Sequence, residues 1–163
     1  MNFVKAAQRV KAFNIMANNA PSNGSLLDCW KQLKLQQSLV VEEAMEGDEA
    51  CKVEDATEIL DAAIDVFVVN TYLLQLLEGM GFDVEGATNE VLANNEQKFS
   101  SSYSYAAESK EALEQSGVPC YIEEVVYGGV QYYSVKRSID GKIMKLKQHK
   151  RPELDKYVPL EFK

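Results

Sequence analysis

From Ile64 to Leu77 the chain is almost continuously apolar, with Asp65 and Asn70 among the few breaks. The run is shorter than the roughly 20 residues that span a bilayer, so it reads as the core of a helix. That helix is expected from about Val53 to Glu78, with Gly79 and Gly81 as stop signals. Ile59, Leu60, Ala62, Ala63 and Ile64 extend its apolar surface toward the N-terminus, so the helix should be largely buried. Yet Glu58, Asp61 and Asp65 lie on it. An unpaired carboxylate in an apolar setting costs several kcal/mol or takes up a proton. Something positive is therefore needed beside Asp61 and Asp65, and Lys52 is the only cation near them in sequence.

The rest of the chain arranges itself around this helix. Residues 2–17 carry Phe3, Val10 and Phe13 at helix-compatible spacing, and Asn18 to Ser25, with Pro21 and Gly24, reads as a loop. A second helix is expected over 26–50, weakened at its end by Gly47, with a turn at Lys52–Asp55. Asp83 is placed to cap a fourth helix reaching Lys98, with Val84, Ala87, Val91 and Leu92 as its apolar stripe. After a serine-rich bend, a short helix runs from Ala106 to Gln115. Val, Ile and Tyr then dominate three stretches, Tyr121–Tyr127, Val130–Arg137 and Ile143–Leu146. Gly128-Gly129 and Asp140-Gly141 separate them, which predicts two successive hairpins. The 163 residues suit one domain: a helical core over 1–99, a helical connector over 100–119, a β ribbon over 120–147 and an extended tail over 148–163.

Acidic residues crowd the region where the second and third helices meet. Glu42, Glu43, Glu46, Asp48, Glu49, Glu54, Asp55, Glu58, Asp61 and Asp65 face Lys52 alone. Glu43 and Glu46 are three apart and share a helix face; Glu58 and Asp61 repeat the spacing, and Asp65 follows by four. A short turn between the helices would bring the two pairs face to face. Four carboxylates around one gap suit a hard cation, Mg²⁺ or Mn²⁺. A solvated acidic face is the plainer alternative, and the better one for Glu42, Asp48, Glu49 and Glu54.

Other chemistries lack their parts. A net charge of −8 argues against a general nucleic-acid binder. No apolar leader follows Lys5, Arg9 and Lys11, and no membrane partner is expected. Cys29, Cys51 and Cys120 match no zinc spacing and read as free thiols in a reducing cytoplasm. His149 is the single histidine, which disfavours di-iron, zinc-hydrolase and triad sites. Neither a phosphate loop nor a dinucleotide fingerprint is present. A nucleotide would have to be held mainly through metal and cationic side chains.

In order along the chain, Glu42-Glu43-Ala44-Met45-Glu46 and Glu58-Ile59-Leu60-Asp61 resemble the E-E-x-x-E and E-x-x-D signature of the all-α nucleoside triphosphate pyrophosphohydrolases. That superfamily includes MazG, dimeric dUTPases and phosphoribosyl-ATP pyrophosphohydrolase. Asp65-Val66-Phe67-Val68-Val69, Asn95-Glu96-Gln97-Lys98, Asp140-Gly141-Lys142-Ile143-Met144-Lys145 and Pro152-Glu153-Leu154 are similar to motifs of the phosphoribosyl-ATP branch. Segment 100–119 matches nothing in it.

The resemblance implies a mainly α, MazG-like helical bundle completed by oligomerisation, as homodimer or homotetramer, with a small C-terminal antiparallel β ribbon. It implies Mg²⁺-dependent hydrolysis of a nucleoside triphosphate, or a relative such as phosphoribosyl-ATP, to the monophosphate and pyrophosphate. Glu43, Glu46, Glu58 and Asp61 would be metal ligands. Asp65 would be a further ligand or the base, and Glu42 would orient the water or remain simply solvated. Asn95, Lys98, Lys142 and Lys145 would contact phosphate or ribose, with a solvated role as the alternative for each lysine. A non-catalytic nucleotide- or metal-binding helical module is the other function these residues allow.

Overall fold

The structure, a computed structural model, describes residues 2–163. The chain is mainly helical, with a small three-stranded antiparallel sheet, and it divides into two compact units. Residues 1–84 with 156–163 form the first, and residues 85–155 the second. The boundary thus falls near residue 84 rather than at 99.

The first unit is built from α1 (Phe3–Met16), α2 (Leu26–Lys52) and α3 (Ala56–Gly79). Each starts on a side-chain cap: Asn2 accepts from the Lys5 N–H, Ser25 from Asp28, and Asp55 from both Thr57 and Glu58. The α2–α3 turn is closed by Glu54 in the left-handed region, at φ 59°. α2 and α3 form an antiparallel hairpin, with α1 laid against α3. Its core joins Val10, Cys29, Leu33, Tyr72, Leu76 and Met80, and Leu76 is wholly buried. Side-chain amides tie the helices together: Gln36 donates to the Val69 carbonyl (2.8 Å) and Gln75 to that of Ala7 (2.9 Å).

The core occupies only part of α3. Its buried residues are Ala62, Tyr72 and Leu76, while Leu60 is 65% exposed, Ile64 43% and Leu74 41%. The expectation of a largely buried helix therefore fails within one chain, because α1 and α2 cover only part of its circumference. At 24 residues α3 also exceeds the run read from the sequence, and by length and composition alone it could cross a membrane. Its four carboxylates, Glu58, Asp61, Asp65 and Glu78, and its packing on α1 and α2 place it in the hairpin. The tail is not simply extended either. It forms 3-10 turns at Leu154–Tyr157 and Leu160–Phe162, and the Phe162 ring packs 4.8 Å from Phe82 and 5.8 Å from Trp30.

The second unit contains α4 (Val84–Glu96), β1 (Phe99–Ser100), α5 (Tyr103–Gln115), β2 (Cys120–Tyr127) and β3 (Val130–Arg137). The sheet order is β1-β3-β2. Gly128 and Gly129, both at positive φ, make the two-residue turn between β2 and β3, as their pairing predicts. The second expected hairpin is reduced to one bridge, Lys136 to Ile143, because Phe99 and Ser100 pair with that edge of β3 opposite Ser134 and Tyr133. α5 is more than a connector: Ala106, fully buried, packs with Cys120, Val135 and Leu146 to form this unit's core. α4 buries no residue, and its expected stripe leaves Leu92 54% exposed.

Local geometry makes two outcomes testable. A Cβ on Gly79 would lie 2.7 Å from the Pro21 Cβ, so the loop would have to move. Gly79→Ala should cost about 1–3 kcal/mol, the usual range for overpacking, read as a lower urea midpoint at unchanged slope. In the second unit, Arg137 holds the Asp140 carboxyl down to about 2, aided by the Lys142 N–H. A depressed acid stabilises the fold above its ordinary value and loses that effect as pH falls toward its folded value. Asp140→Asn should therefore melt below the parent at neutral pH, and the gap should close between the ordinary 3.8 and about 2.

Candidate metal centre

The acidic end of the first unit is shaped by small residues. Ala50 and Ala62 are buried, 5% and 7% exposed. A Cβ on Gly47 would stand 3.3 Å from the Ala62 Cβ, tighter than ordinary contact. Gly47 therefore does not fray α2, which continues to Lys52; it lets α2 and α3 approach. Glu43, Gly47 and Ala50 follow at i, i+4 and i+7, so the carboxylate sits on the same stripe as the close contact. That spacing was visible in the sequence and identifies Gly47 as a positioning residue that sequence reading missed.

Glu43 and Asp65 are half-buried, whereas Glu42, Glu46, Glu58 and Asp61 are exposed. The Glu43 carboxyl is pushed above its ordinary value, first by burial and then by repulsion from Glu46, Asp65, Glu42 and Asp61. Two of those four acids stand on its own helix and flank it at Glu42 and Glu46. The other two, Asp61 and Asp65, reach it from α3. The hairpin thus gathers acids of both helices around Glu43. Glu58, in the first turn of α3, is not among the acids that act on Glu43; its N–H donates to the Asp55 carboxylate. Among the described residues no three His, Cys, Asp or Glu side chains close into a ligand shell.

No cation among the described residues relieves Glu43. Lys52, the one basic residue nearby in sequence, is engaged by Asp48 (2.9 Å) and Glu49 (3.2 Å) on the flank of α2. Acids elsewhere in the chain behave differently: Asp28 is held low by Ser25 and Lys31, and Asp140 by Arg137. Asp61 is exposed, so the expected need of a buried Asp61 for a positive partner falls away, and Glu43 is the acid of this hairpin held above its ordinary value. The donor chemistry fits a hard divalent ion, since all the groups are carboxylate oxygens and a cation is what they lack.

Asn95, Lys98, Lys142 and Lys145 belong to the second unit. Lys98 donates to the Asn95 Oδ1 at 2.7 Å, so this Asn-x-x-Lys pair forms one polar group at the end of α4. Lys142 follows the Asp140 turn, and its side chain and that of Lys145 are exposed. Of the tyrosines, Tyr105 and Tyr133 pack against the unit's core, while Tyr103 stands edge-on to Tyr133 at 5.4 Å.

No protein-family model, curated protein or solved structure matches this chain.

Proposed function

We propose that this chain is a Mg²⁺-dependent nucleotide pyrophosphohydrolase, cleaving a nucleoside triphosphate or a related nucleotide such as phosphoribosyl-ATP to the monophosphate and pyrophosphate. One observation carries the reading. A half-buried carboxylate, Glu43, is destabilised by four other acids from two helices, and no cation among the described residues offsets it. The ordered resemblance of Glu42–Glu46, Glu58–Asp61, Asn95–Lys98 and Asp140–Lys145 to the all-α pyrophosphohydrolases supplies the reaction.

Glu43, Glu46, Glu58 and Asp61 would hold Mg²⁺, with Mn²⁺ as a substitute. When bound, the ion supplies charge neutralisation for polyphosphate oxygens and a more acidic water. Asp65, half-buried beside Glu43, takes the proton of the attacking water, and Glu42 orients that water. A water oxygen bonds to the α-phosphorus, the α–β anhydride bond breaks, and pyrophosphate leaves. The resemblance assigns phosphate and ribose contacts to Asn95, Lys98, Lys142 and Lys145, whose donors and positive charge suit them. Leu60, Ile64 and Leu74, exposed on α3, give a second copy of the chain an apolar stripe to cover, in keeping with a homodimer or homotetramer. The thiols and the acidic surface suit the cytoplasm.

Asp61→Asn or Glu58→Gln should lower Mg²⁺-dependent pyrophosphate release by about 100-fold or more, the scale of losing one charge-stabilising group, with the helical circular dichroism intact. Full activity in either variant refutes the ligand assignment. Glu43→Gln has a two-signed signature. Because the folded protein raises the Glu43 value, its charged form costs stability as pH rises through the carboxylate range. In EDTA at neutral pH the variant should melt at or above the parent. On adding Mg²⁺ the parent should gain stability and the variant should gain less.

A further inference from the structure

We propose that the groove between α5 and the free edge of β2 takes up an extended basic peptide, which joins the sheet as a further strand. The sheet order leaves β2 with one neighbour, β3. Tyr127 and Val130 flank the Gly128-Gly129 turn and form its hydrogen-bonded pair, so Val125, Glu123 and Tyr121 also bond to β3. The N–H and C=O groups of Ile122, Glu124 and Val126 therefore point away from β3. None of these groups finds another partner among the described residues. Glu124 is exposed and Val126 is 66% exposed, so the chain leaves this edge uncovered. Such an edge is a template for another strand.

Beside the edge runs a groove of about 430 Å³. Ala107, Lys110, Glu111 and Glu114 of α5 line one wall, and Ile122 and Glu124 of β2 line the other. The α5 residues form one helical stripe, next to the stripe through Ala106 and Leu113 that packs into this unit's core. A groove between a helix and an open strand edge is a form in which extended peptides bind by strand addition. Its charge selects the occupant. Lys110, the one cation lining it, is held by Glu114 at 2.7 Å. Glu111 and Glu124 accept only from the neutral amides of Gln115 (3.2 Å) and Gln131 (2.8 Å). Each wall thus keeps one uncompensated carboxylate. Alternate side chains of an added strand project toward α5, between these two acids, and lysine or arginine there would complement both. A second copy would bring its own Glu124 to the same edge, and like charges opposed across strands are destabilising. The occupant is therefore a basic segment of a different protein. No residue of the proposed metal centre takes part.

The test uses the full chain in EDTA with a labelled peptide of the length of β2, 8 residues, in which lysine alternates with threonine. Fluorescence anisotropy reads binding, and amide hydrogen exchange reads its place. The peptide should bind and should slow exchange at Ile122, Glu124 and Val126. The same peptide with glutamate for lysine should not bind. N-methylation of one alternate set of the peptide's amides should abolish binding, and N-methylation of the other set should be tolerated, because only one set faces β2. Glu111→Gln with Glu124→Gln should weaken binding about 2- to 25-fold, the range for two exposed ion pairs. No binding, equal binding of the glutamate peptide, or indifference to which amides are methylated overturns the proposal. So does binding that leaves those β2 amides unprotected, as docking on the acids of α2 and α3 would. Concentration-dependent protection of the same amides in the chain alone also overturns it, since the edge would then be a contact between copies.

Discussion

The structure turns on a repulsion that the α2–α3 packing enforces. Buried Ala50 and Ala62, with no side chain at Gly47, let two helices meet closely where each carries carboxylates. Asp55 caps α3, and Glu54 in the left-handed region turns the chain from one helix into the other. The apolar layer around Leu76 holds the opposite end of the hairpin. Packing at one end therefore brings like charges near one another at the other, the arrangement on which the proposed cation site rests.

Much of this was legible in the sequence because helical periodicity and turn chemistry are local. Helices α1 to α3 lie within a few residues of their expected bounds, and Gly128-Gly129 makes the turn its composition demands. What escaped was set by distant partners. Two residues, Phe99 and Ser100, are too few to announce a strand, yet they take the edge of β3 on which the second hairpin was expected to zip. Phe162 was read as part of an extended tail, and its partners Trp30 and Phe82 are far away in sequence. The apolar run of α3 was legible, but not that one chain covers only part of it.

The candidate site was legible to the extent that spacing predicts faces. The i, i+3 and i+4 rule places Glu43 with Glu46 and Asp61 with Asp65, and the repulsion felt by Glu43 joins the two sets across the hairpin. Gly47 was misread because a glycine near the end of a helix resembles a stop signal, whereas close helix packing uses the same residue. The cations divide the same way. Lys52 serves neighbouring acids on α2, while Lys142, Lys145, Lys147, Lys150 and Arg151 lie in the second unit.

The central claim is that acids of α2 and α3 share one divalent ion. The most direct measurement is paramagnetic broadening of backbone amide signals on titrating substoichiometric Mn²⁺ into the ¹⁵N-labelled protein. With a shared ion, the amides of Gly47 and Ala62 should fade first and together, and excess Mg²⁺ should restore them. Uniform loss along the exposed acids around Asp48 and Glu54, with Ala62 untouched, would contradict it.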